Sequence, residues 1–331
     1  MRDNPIKSTI DFAKNGIQHG YLKVPYSNNK SAWGAVMIPI TQFKNGKGPT
    51  ALLTGANHGD EYEGPVALFK LTSRKNIDDI QGRVIIIPAM NYPAFLSGDR
   101  VSPIDHVNLN RAFPGKPDGT VTEIIADYFS RTLLPMTDYV LDIHSGGKTL
   151  DCLPFAASHV LNDKKQEQSC ELAAKSFEAP FLLKMLELDA CGMYDSQVES
   201  MGKVFVTTEL GGGGSASPET IEIAKRGVDN FLIHAKILAG ESKSSTLPAV
   251  LLSMPDEGSF ICCEHRGLVE PFVELGDVVK EGDLLAKVHN IDRTATTPEN
   301  YYAKRDGMVI IKHYPSIIDI GDNLMVIAKI E

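Results

Sequence analysis

Two residues in the first quarter of this sequence have the side chains and the spacing of metal ligands. His58 and Glu61 closely follow the apolar run Ala51–Gly55. An HxxE spacing lets both side chains face one point within a single turn, and imidazole and carboxylate groups both bind zinc. Because a single short motif of this kind also arises by chance, it predicts a metal site only if further ligands lie nearby.

Two further candidates lie where later apolar runs end. His144 directly follows the run Tyr139–Ile143, and Asp142 points to the same side of that predicted strand. Considered alone, His144 is as readily a core residue as a ligand. Glu209 ends the run Lys203–Glu209, and a buried glutamate at a strand end needs a cation or a water-filled cleft.

The positions of these candidates favour a common site. In open α/β sheets ligands bind beyond the carboxyl ends of the strands, and His58, His144 and Glu209 all lie at such ends. Two histidines and one carboxylate form the ligand set of a catalytic zinc, which leaves a fourth position for water. With Glu61 in that set, Glu209 is left as a candidate general base.

A polar loop in the same half of the chain could bind an anion. Asn110 and Arg111 adjoin in the segment Asn108–Gly115. An arginine can bind a carboxylate through paired hydrogen bonds, and the neighbouring amide can donate another. The alternative is an ordinary solvated arginine without a role in binding.

The elements that must position these residues follow an α/β pattern. From Trp33 to Gly240, short β-rich runs alternate with amphipathic segments, which predicts a mixed sheet with helices on both faces. The predicted strands are Ala35–Ile40, Thr50–Gly55, Arg83–Pro88, Tyr139–Ile143 and Lys203–Glu209. The predicted helices are Val121–Leu134 and Ser217–Leu238, the second with Pro218 in its first turn.

The composition changes after Ala239, where a polar, turn-forming segment leads into a region without a convincing helix pattern. We therefore expect an α/β catalytic domain over residues 1–245 and a β-rich domain over residues 246–331. The second region contains a weak repeat, in which Gly267 and Gly307 each begin one copy. Two such halves resemble the barrel-sandwich hybrid of biotinyl and lipoyl carrier domains, but residues 289–302 contain no lysine that could carry a cofactor.

Composition restricts the possible functions further. The 331 residues are 43% hydrophobic and 23% charged, which is typical of a globular protein. The net charge of −9 disfavours nucleic-acid and anionic membrane partners, and no apolar run approaches the roughly 20 residues that cross a bilayer. Five cysteines without a CxxC pair predict reduced thiols, and an N-terminus without a targeting pattern predicts a cytoplasmic location. A homodimer is left open.

The ordered motifs resemble those of the succinylglutamate desuccinylase/aspartoacylase family, which belongs to the zinc carboxypeptidase superfamily. The likeness covers essentially the whole chain and rests on the segments LLTGANHGDEYEGP, NRAFPGKPDGTVTE, DIHSGGKTLD and VTTELGGGG. The resemblance implies one zinc ion held by His58, Glu61 and His144, with Glu209 activating water. It further implies that Asn110 and Arg111 bind a substrate carboxylate.

Two positions depart from the family pattern. Many relatives have an aspartate two residues before the Asn-Arg pair, where this chain has Asn108. The arginine that polarises the scissile carbonyl is expected shortly before that pair, and the nearest candidate is Arg100, eleven residues before Arg111.

The resemblance also indicates a substrate. The segments SAWGAVMIPIT and PAMNYPAF are similar to those of family members that act in bacterial ectoine breakdown. This implies a small N-acetylated amino acid, N2-acetyl-L-2,4-diaminobutanoate, which would be hydrolysed to acetate and L-2,4-diaminobutanoate. Its ammonium group requires an acid in the pocket, for which Glu187, Asp189 and Asp195 are candidates.

Two other functions remain open from the sequence. One is deacylation of a different N-acyl amino acid, such as acetylaspartate or succinylglutamate, which carries an additional carboxylate instead of the ammonium group. The other is a non-catalytic binding module built on a peptidase-like fold.

Overall fold

The computed structural model describes residues 2–186, 189–245 and 247–331, which form a mixed α/β fold. The strands are β1 (Lys7–Ser8), β2 (Gly16–Pro25), β3 (Ala35–Asn45), β4 (Thr50–Gly55), β5 (Gly82–Ile87), β6 (Tyr139–His144), β7 (Leu150–Cys152), β8 (Phe155–His159), β9 (Phe181–Met185), β10 (Val204–Glu209), β11 (Val250–Ser253), β12 (Phe260–Cys262), β13 (Gly267–Pro271), β14 (Val278–Val279), β15 (Leu284–His289), β16 (Glu299–Tyr302), β17 (Gly307–His313), β18 (Ile317–Ile318) and β19 (Asn323–Ile330). The helices are α1 (Glu63–Thr72), α2 (Tyr92–Ser97), α3 (Val121–Tyr128), α4 (Lys164–Ser176), α5 (Tyr194–Ser200) and α6 (Pro218–His234). Shorter helical turns cover Leu109–Arg111, Phe129–Leu133, Leu134–Met136 and Glu257–Ser259.

One large mixed sheet contains all the strands predicted from the sequence. Its central order is β3-β5-β4-β6-β10-β8-β9. Strand β4 is parallel to both β5 and β6, and β6 is parallel to β10, whereas β3 and β8 pair antiparallel with β5 and β10. Because parallel strands end at the same edge of a sheet, the residues that follow β4, β6 and β10 come together.

Helices cover both faces of this sheet, as the alternating apolar and amphipathic segments predict. In β4, Leu53 packs in a core with side chains of α1, α4 and α6, whereas its neighbour Leu52 packs in a second core with α3 and α5. Both side chains are fully buried. Successive residues of a strand point to opposite faces, so a strand covered on both sides has a continuous apolar sequence.

The strands that lead to the candidate site have almost the predicted bounds. Strand β4 matches its prediction, and β6 and β10 each differ from theirs by one residue at one end. Strand β5 is shifted by one residue at both ends, since it covers Gly82–Ile87 instead of Arg83–Pro88. Strand β3 continues beyond Ile40 to Asn45, because its pairing with β2 extends to Lys44. The pattern beyond Ile40 includes the polar residues Thr41 and Gln42, which hides this extension in the sequence.

Both predicted helices end earlier than expected. The segment Val121–Leu134 is α-helical only to Tyr128, and a π-helical turn and a 3-10 turn follow. Pro135 lies in that last turn, and its missing N–H prevents a regular continuation. Helix α6 ends at His234, and Lys236 follows with a positive φ of 58°, a conformation that terminates helices.

The C-terminal residues are β-rich, and both copies of the sequence repeat begin a strand. A four-stranded antiparallel sheet has the order β16-β15-β13-β18, while β17 and β19 continue the large sheet through β11. Gly267 opens β13 and Gly307 opens β17. A Cβ atom at these positions would lie 2.2 Å from the His289 carbonyl oxygen and 2.3 Å from that of Ala328. Each copy therefore begins with a glycine because a neighbouring backbone approaches closely.

Two expectations from composition can be compared with the structure. All five cysteines are unpaired, as the sequence predicts. Within the described residues, no helix has both the length and the apolar character that crossing a membrane would require.

Candidate metal centre and active site

The three predicted metal ligands meet at the edge where β4, β6 and β10 end. His144 is the last residue of β6, and His58 and Glu61 lie in the loop between β4 and α1. One ligand atom from each of these three residues lies within 4.8 Å of the other two, and all three side chains are buried. In the described part of the chain, this is the one such cluster of histidine, cysteine and acidic side chains.

The carboxylate of Glu61 lies between the two imidazole rings. Its Oε1 is 2.6 Å from Nδ1 of His58, and its Oε2 is 2.8 Å from Nδ1 of His144. The backbone N–H of Ser145 donates to Oε2 at 3.3 Å. Burial acts to raise the pKa of Glu61, but the two nearby imidazoles outweigh it and hold this pKa well below its usual range. Glu61 is therefore an anion that faces two nitrogen ligands.

Asp142 fixes which nitrogen of His144 is available to a metal. Its Oδ2 lies 2.8 Å from Nε2 of His144 and accepts from the Asn57 amide at 3.0 Å, while its Oδ1 accepts from the Thr54 hydroxyl at 2.6 Å. These bonds and the charge of His144 overcome the effect of burial and lower the pKa of Asp142. An ionised carboxylate only accepts hydrogen bonds, so Nε2 of His144 must carry a proton. When the ring is neutral, Nδ1 therefore has the free lone pair that faces the cluster.

His58 is held by the close packing of its loop against α2. A Cβ atom on the adjacent Gly59 would lie 2.0 Å from the carbonyl carbon of Ala94, so only glycine allows this approach. Burial is the main cause that lowers the pKa of His58, which favours the neutral ring. Its Nε2 is buried without a hydrogen-bond partner among the described residues, whereas Nδ1 faces the cluster.

Burial acts to lower the pKa of His144, but Glu61 and Asp142 outweigh it and raise this pKa well above its usual value, so the metal-free ring is protonated. A zinc ion would replace the proton on Nδ1, and two imidazoles and one carboxylate then form its usual ligand set.

Glu209 lies in the same cleft as the cluster. It is the last residue of β10, and it pairs with His144 in the parallel register of β10 and β6. Loss of hydration and then the negative charge of Glu61 raise the pKa of Glu209 to about 8. A carboxyl with such a pKa can take up a proton near neutral pH and release it again.

The cleft beside the cluster has a volume of about 140 Å³ and is lined by both polar and apolar side chains. Arg100 reaches into it, and its Nη1 lies 3.8 Å from Oε1 of Glu61. Met185 and Met193 form apolar parts of the wall. Both methionines were missed in the sequence because nothing in their local pattern marks them as site residues.

Asn110 and Arg111 also line the cleft, in the helical turn Leu109–Arg111. The Asn110 side-chain oxygen accepts from the backbone N–H of Tyr194 at 2.9 Å, which orients its amide. The side chain of Asn108 accepts from the backbone N–H of Asn110 at 2.9 Å. Asn108 thus stabilises the turn that presents the Asn-Arg pair, a role for which an asparagine is as suitable as an aspartate.

The three acidic candidates for binding an ammonium group have different surroundings. Asp189 is largely exposed and accepts from Nε of Arg111 at 3.3 Å. Asp195 is buried and lines the cleft, where the hydroxyl of Ser196 donates to its Oδ1 at 3.1 Å. Glu187 lies outside the described residues. Of the two described acids, only Asp195 lines the cleft.

Comparison with known proteins agrees with this architecture. The sequence profile of the succinylglutamate desuccinylase/aspartoacylase catalytic domain matches residues 47–235. The chain is 54% identical, over 330 residues, to the N-alpha-acetyl-L-2,4-diaminobutyric acid deacetylase of Halomonas elongata, with 100% of this chain and 96% of that protein covered.

Solved structures are similar over the full length. A product-bound structure of the ectoine utilization protein EutE from Ruegeria pomeroyi superposes with a TM-score of 0.97 at 56% identity, covering 99% of this chain and 100% of that one. A succinylglutamate desuccinylase from a Silicibacter species superposes with a TM-score of 0.96 at 55% identity, with both chains fully covered.

Proposed function

Since the chain belongs to the succinylglutamate desuccinylase/aspartoacylase family, we propose that it hydrolyses N2-acetyl-L-2,4-diaminobutanoate to acetate and L-2,4-diaminobutanoate. The observation that carries this proposal is the position of Glu209 in one cleft with the cluster of His58, Glu61 and His144. That arrangement suits attack of water on an amide. The full-length likeness to the Halomonas elongata deacetylase supports the choice of substrate.

The ligand set supports one zinc ion per chain as the cofactor. His58, Glu61 and His144 would hold it through Nδ1 of each imidazole and the carboxylate between them. A zinc ion in such a set polarises a carbonyl oxygen and lowers the pKa of water. The hydrogen bond that Nε2 of His144 donates to Asp142 keeps this imidazole in the orientation that zinc binding needs.

The remaining steps are assigned to side chains of the cleft. Glu209 takes a proton from the attacking water and passes it to the departing amine nitrogen as the C–N bond breaks. Burial and the charge of Glu61 raise the pKa of Glu209 in the metal-free protein, which makes its carboxylate a stronger base than that of an ordinary glutamate. Arg100, which reaches the cluster from the cleft, donates to the acetyl oxygen as negative charge develops there.

Substrate recognition is assigned to three residues that line the cleft. Arg111 and Asn110 would bind the α-carboxylate, and Asp195 would bind the terminal ammonium group. Acetylaspartate carries a second carboxylate in place of that ammonium group, and a buried Asp195 would repel it. The cleft therefore favours the diaminobutanoate derivative over the substrate of an aspartoacylase.

Several further features belong to the same proposal. We infer a catalytic α/β domain over residues 1–245 and a barrel-sandwich hybrid over residues 246–331, for which the repeated glycines at the start of β13 and β17 are the support. We also infer a cytoplasmic enzyme without nucleic-acid partners, and the net charge of −9 supports the absence of such partners. A homodimer is left open, as in the sequence analysis. A binding module without activity is disfavoured because His58 and His144 of the ligand cluster line one cleft with Glu209.

Metal analysis combined with an acetate-release assay tests the proposal. Purified protein reconstituted with zinc should hold about one equivalent and release acetate from N2-acetyl-L-2,4-diaminobutanoate. Removal of the metal by a chelator should abolish turnover, and added zinc should restore it. A protein that holds no zinc after reconstitution would contradict the proposal and favour the binding module.

A further inference from the structure

Cys152 is buried next to the carboxylate of Glu209, although nothing in its sequence context predicts a role. Its Sγ lies 4.0 Å from Oε2 of Glu209, and the residue is 3% exposed. Among the described residues, this thiol is the one side chain within hydrogen-bond distance of that carboxylate. Strand β7, which ends at Cys152, is held by the C-terminal part of the chain.

Strand β17 fixes the backbone around Cys152. The two strands pair antiparallel, with Cys152 opposite Ile311. The pairing continues beyond β7, since the N–H of Leu153 donates to the Ile310 carbonyl at 2.9 Å and the N–H of Tyr314 donates to that of Thr149 at 2.8 Å. Because the backbone is hydrogen-bonded both before and after Cys152, the direction of the Cys152 side chain has little freedom.

The glycine-rich segment after Glu209 packs against the other side of β7. The N–H of Gly213 donates to the carbonyl of Leu150 at 3.0 Å, and a Cβ atom on Gly212 would lie 2.0 Å from the same oxygen. The ring of Tyr314 lies 3.5 Å from the Cβ position of Gly213. Strand β7 is thus enclosed between the C-terminal strand and the segment that follows the general base.

We propose that Cys152 is a positioning residue for Glu209, with its S–H donating to the carboxylate and β17 holding the thiol in place. This inference rests on the proposed function of Glu209. Burial and the charge of Glu209 raise the pKa of Cys152 well above its usual value, so the thiol keeps its proton. A thiol is a weak donor, and it can therefore orient a base without removing its basicity as a cation would.

The first test compares Cys152→Ala and Cys152→Ser with the wild type in the zinc-loaded full-length protein. Removing the donor should lower kcat on the order of tenfold and leave KM within about twofold, because the base is misaligned while substrate contacts remain. Serine restores a donor, so its kcat should lie between those of alanine and the wild type. Cys263→Ala is the control, since this buried cysteine contacts Tyr301 in the C-terminal region and should leave kcat unchanged.

Thermal unfolding of the same variants separates positioning from packing. If Cys152 only contributed to packing, its variants would have a lower unfolding temperature, but kcat would not decrease from the wild type through Cys152→Ser to Cys152→Ala. Wild-type kcat for Cys152→Ala would overturn the inference and leave the proposed function intact. A wild-type protein without deacetylase activity would instead contradict the proposed function.

The second test is independent of turnover and of the stability of the alanine variant. The S–H stretching vibration absorbs in a region of the infrared spectrum that is free of other protein bands, and its frequency falls when the thiol donates a hydrogen bond. Glu209→Gln replaces the acceptor by a weaker one, so the Cys152 band should move to higher frequency while those of Cys170 and Cys263 stay unchanged. Identical spectra for the wild type and Glu209→Gln would overturn the inference.

Discussion

Glu209 and His144 are paired residues at the ends of two neighbouring parallel strands. The register of β10 against β6 therefore sets the distance between the candidate base and a candidate metal ligand. Because side chains alternate along a strand, a shift of one residue would turn Glu209 away from the cleft. The relation of base to metal ligand is thus built into the sheet rather than into flexible loops.

Replacing the base by its amide should separate chemistry from binding. We expect Glu209→Gln to retain zinc and substrate affinity but to lose on the order of 10²- to 10⁴-fold in kcat, since the shape is kept and the proton acceptor is lost. Metal analysis, substrate binding and acetate release measure the three properties. Near-normal turnover would remove Glu209 from its assigned role.

The metal ligands should be dispensable for folding. His58→Ala and His144→Ala should lose zinc and remain folded, because two cores of buried apolar side chains stabilise the sheet independently of the metal. Asp142→Asn should weaken zinc binding by about 10- to 100-fold, since it no longer fixes the ring of His144.

Zinc content and far-UV circular dichroism measure these effects. Asp99→Asn is a suitable control, because this exposed acid pairs with Lys148 outside the ligand set. Stoichiometric zinc in either histidine variant would exclude that residue from the set.

The central site could be predicted from the sequence because its residues directly follow strong apolar runs. Glu209 is the last residue of its predicted strand, and His144 directly follows the end of its own. The ends of such strands meet at one edge of an α/β sheet. The sequence gives no comparable signal for Cys152, which approaches Glu209 only because β17, over 150 residues later, pairs with β7. Contacts of this kind depend on long-range strand pairing and have no local pattern.

Helix α4 was missed for a different reason. Its buried residues include Cys170, Ala173 and Ala174, which are too small to give a strong amphipathic pattern among many charged neighbours. The role of Asn108 was also hidden, since a capping side chain cannot be distinguished from a support for a metal ligand without the backbone geometry.

The raised pKa of Glu209 should appear in the stability of the metal-free protein. Its pKa is about 8 in the folded state and 4.5 for an ordinary glutamate, because burial and the charge of Glu61 favour the protonated form. Between these values the folded state binds a proton that the unfolded chain has lost. Preferential protonation of Glu209 in the folded state therefore adds to the free energy of unfolding. This stabilisation is fully present below a pH of about 4.5 and is lost as the pH rises to about 8.

Urea unfolding of the metal-free wild type and Glu209→Gln across this pH range measures the effect. The variant cannot titrate at this position, so its free energy of unfolding relative to the wild type should increase as the pH rises. Loading with zinc should reduce the trend, since a nearby cation favours the ionised carboxylate. A difference that does not change with pH would mean that Glu209 titrates at its ordinary value.

Specificity should follow from the two charged groups that would bind the ends of the substrate. If Arg111 binds the carboxylate and Asp195 binds the ammonium group, acetylaspartate should be a far poorer substrate than N2-acetyl-L-2,4-diaminobutanoate. The Nγ-acetyl isomer should also react poorly, because anchoring its carboxylate at Arg111 moves the scissile carbonyl away from the ligand cluster.

The decisive variant is Asp195→Asn, which keeps the size of the side chain and removes its charge. A hydrogen bond to a charged group contributes about 1.5 to 3 kcal/mol, so kcat/KM for the diaminobutanoate substrate should fall roughly 10- to 100-fold. The same change should leave acetylaspartate unaffected or improve it, because a repulsive charge is removed. Asp189→Asn is the matched control, since this exposed acid does not line the cleft and should preserve the preference between the two substrates. If Asp195→Asn and the wild type discriminated equally between the diaminobutanoate substrate and acetylaspartate, another group would bind the ammonium. If the wild type preferred the Nγ isomer, Arg111 would not set the position of the substrate.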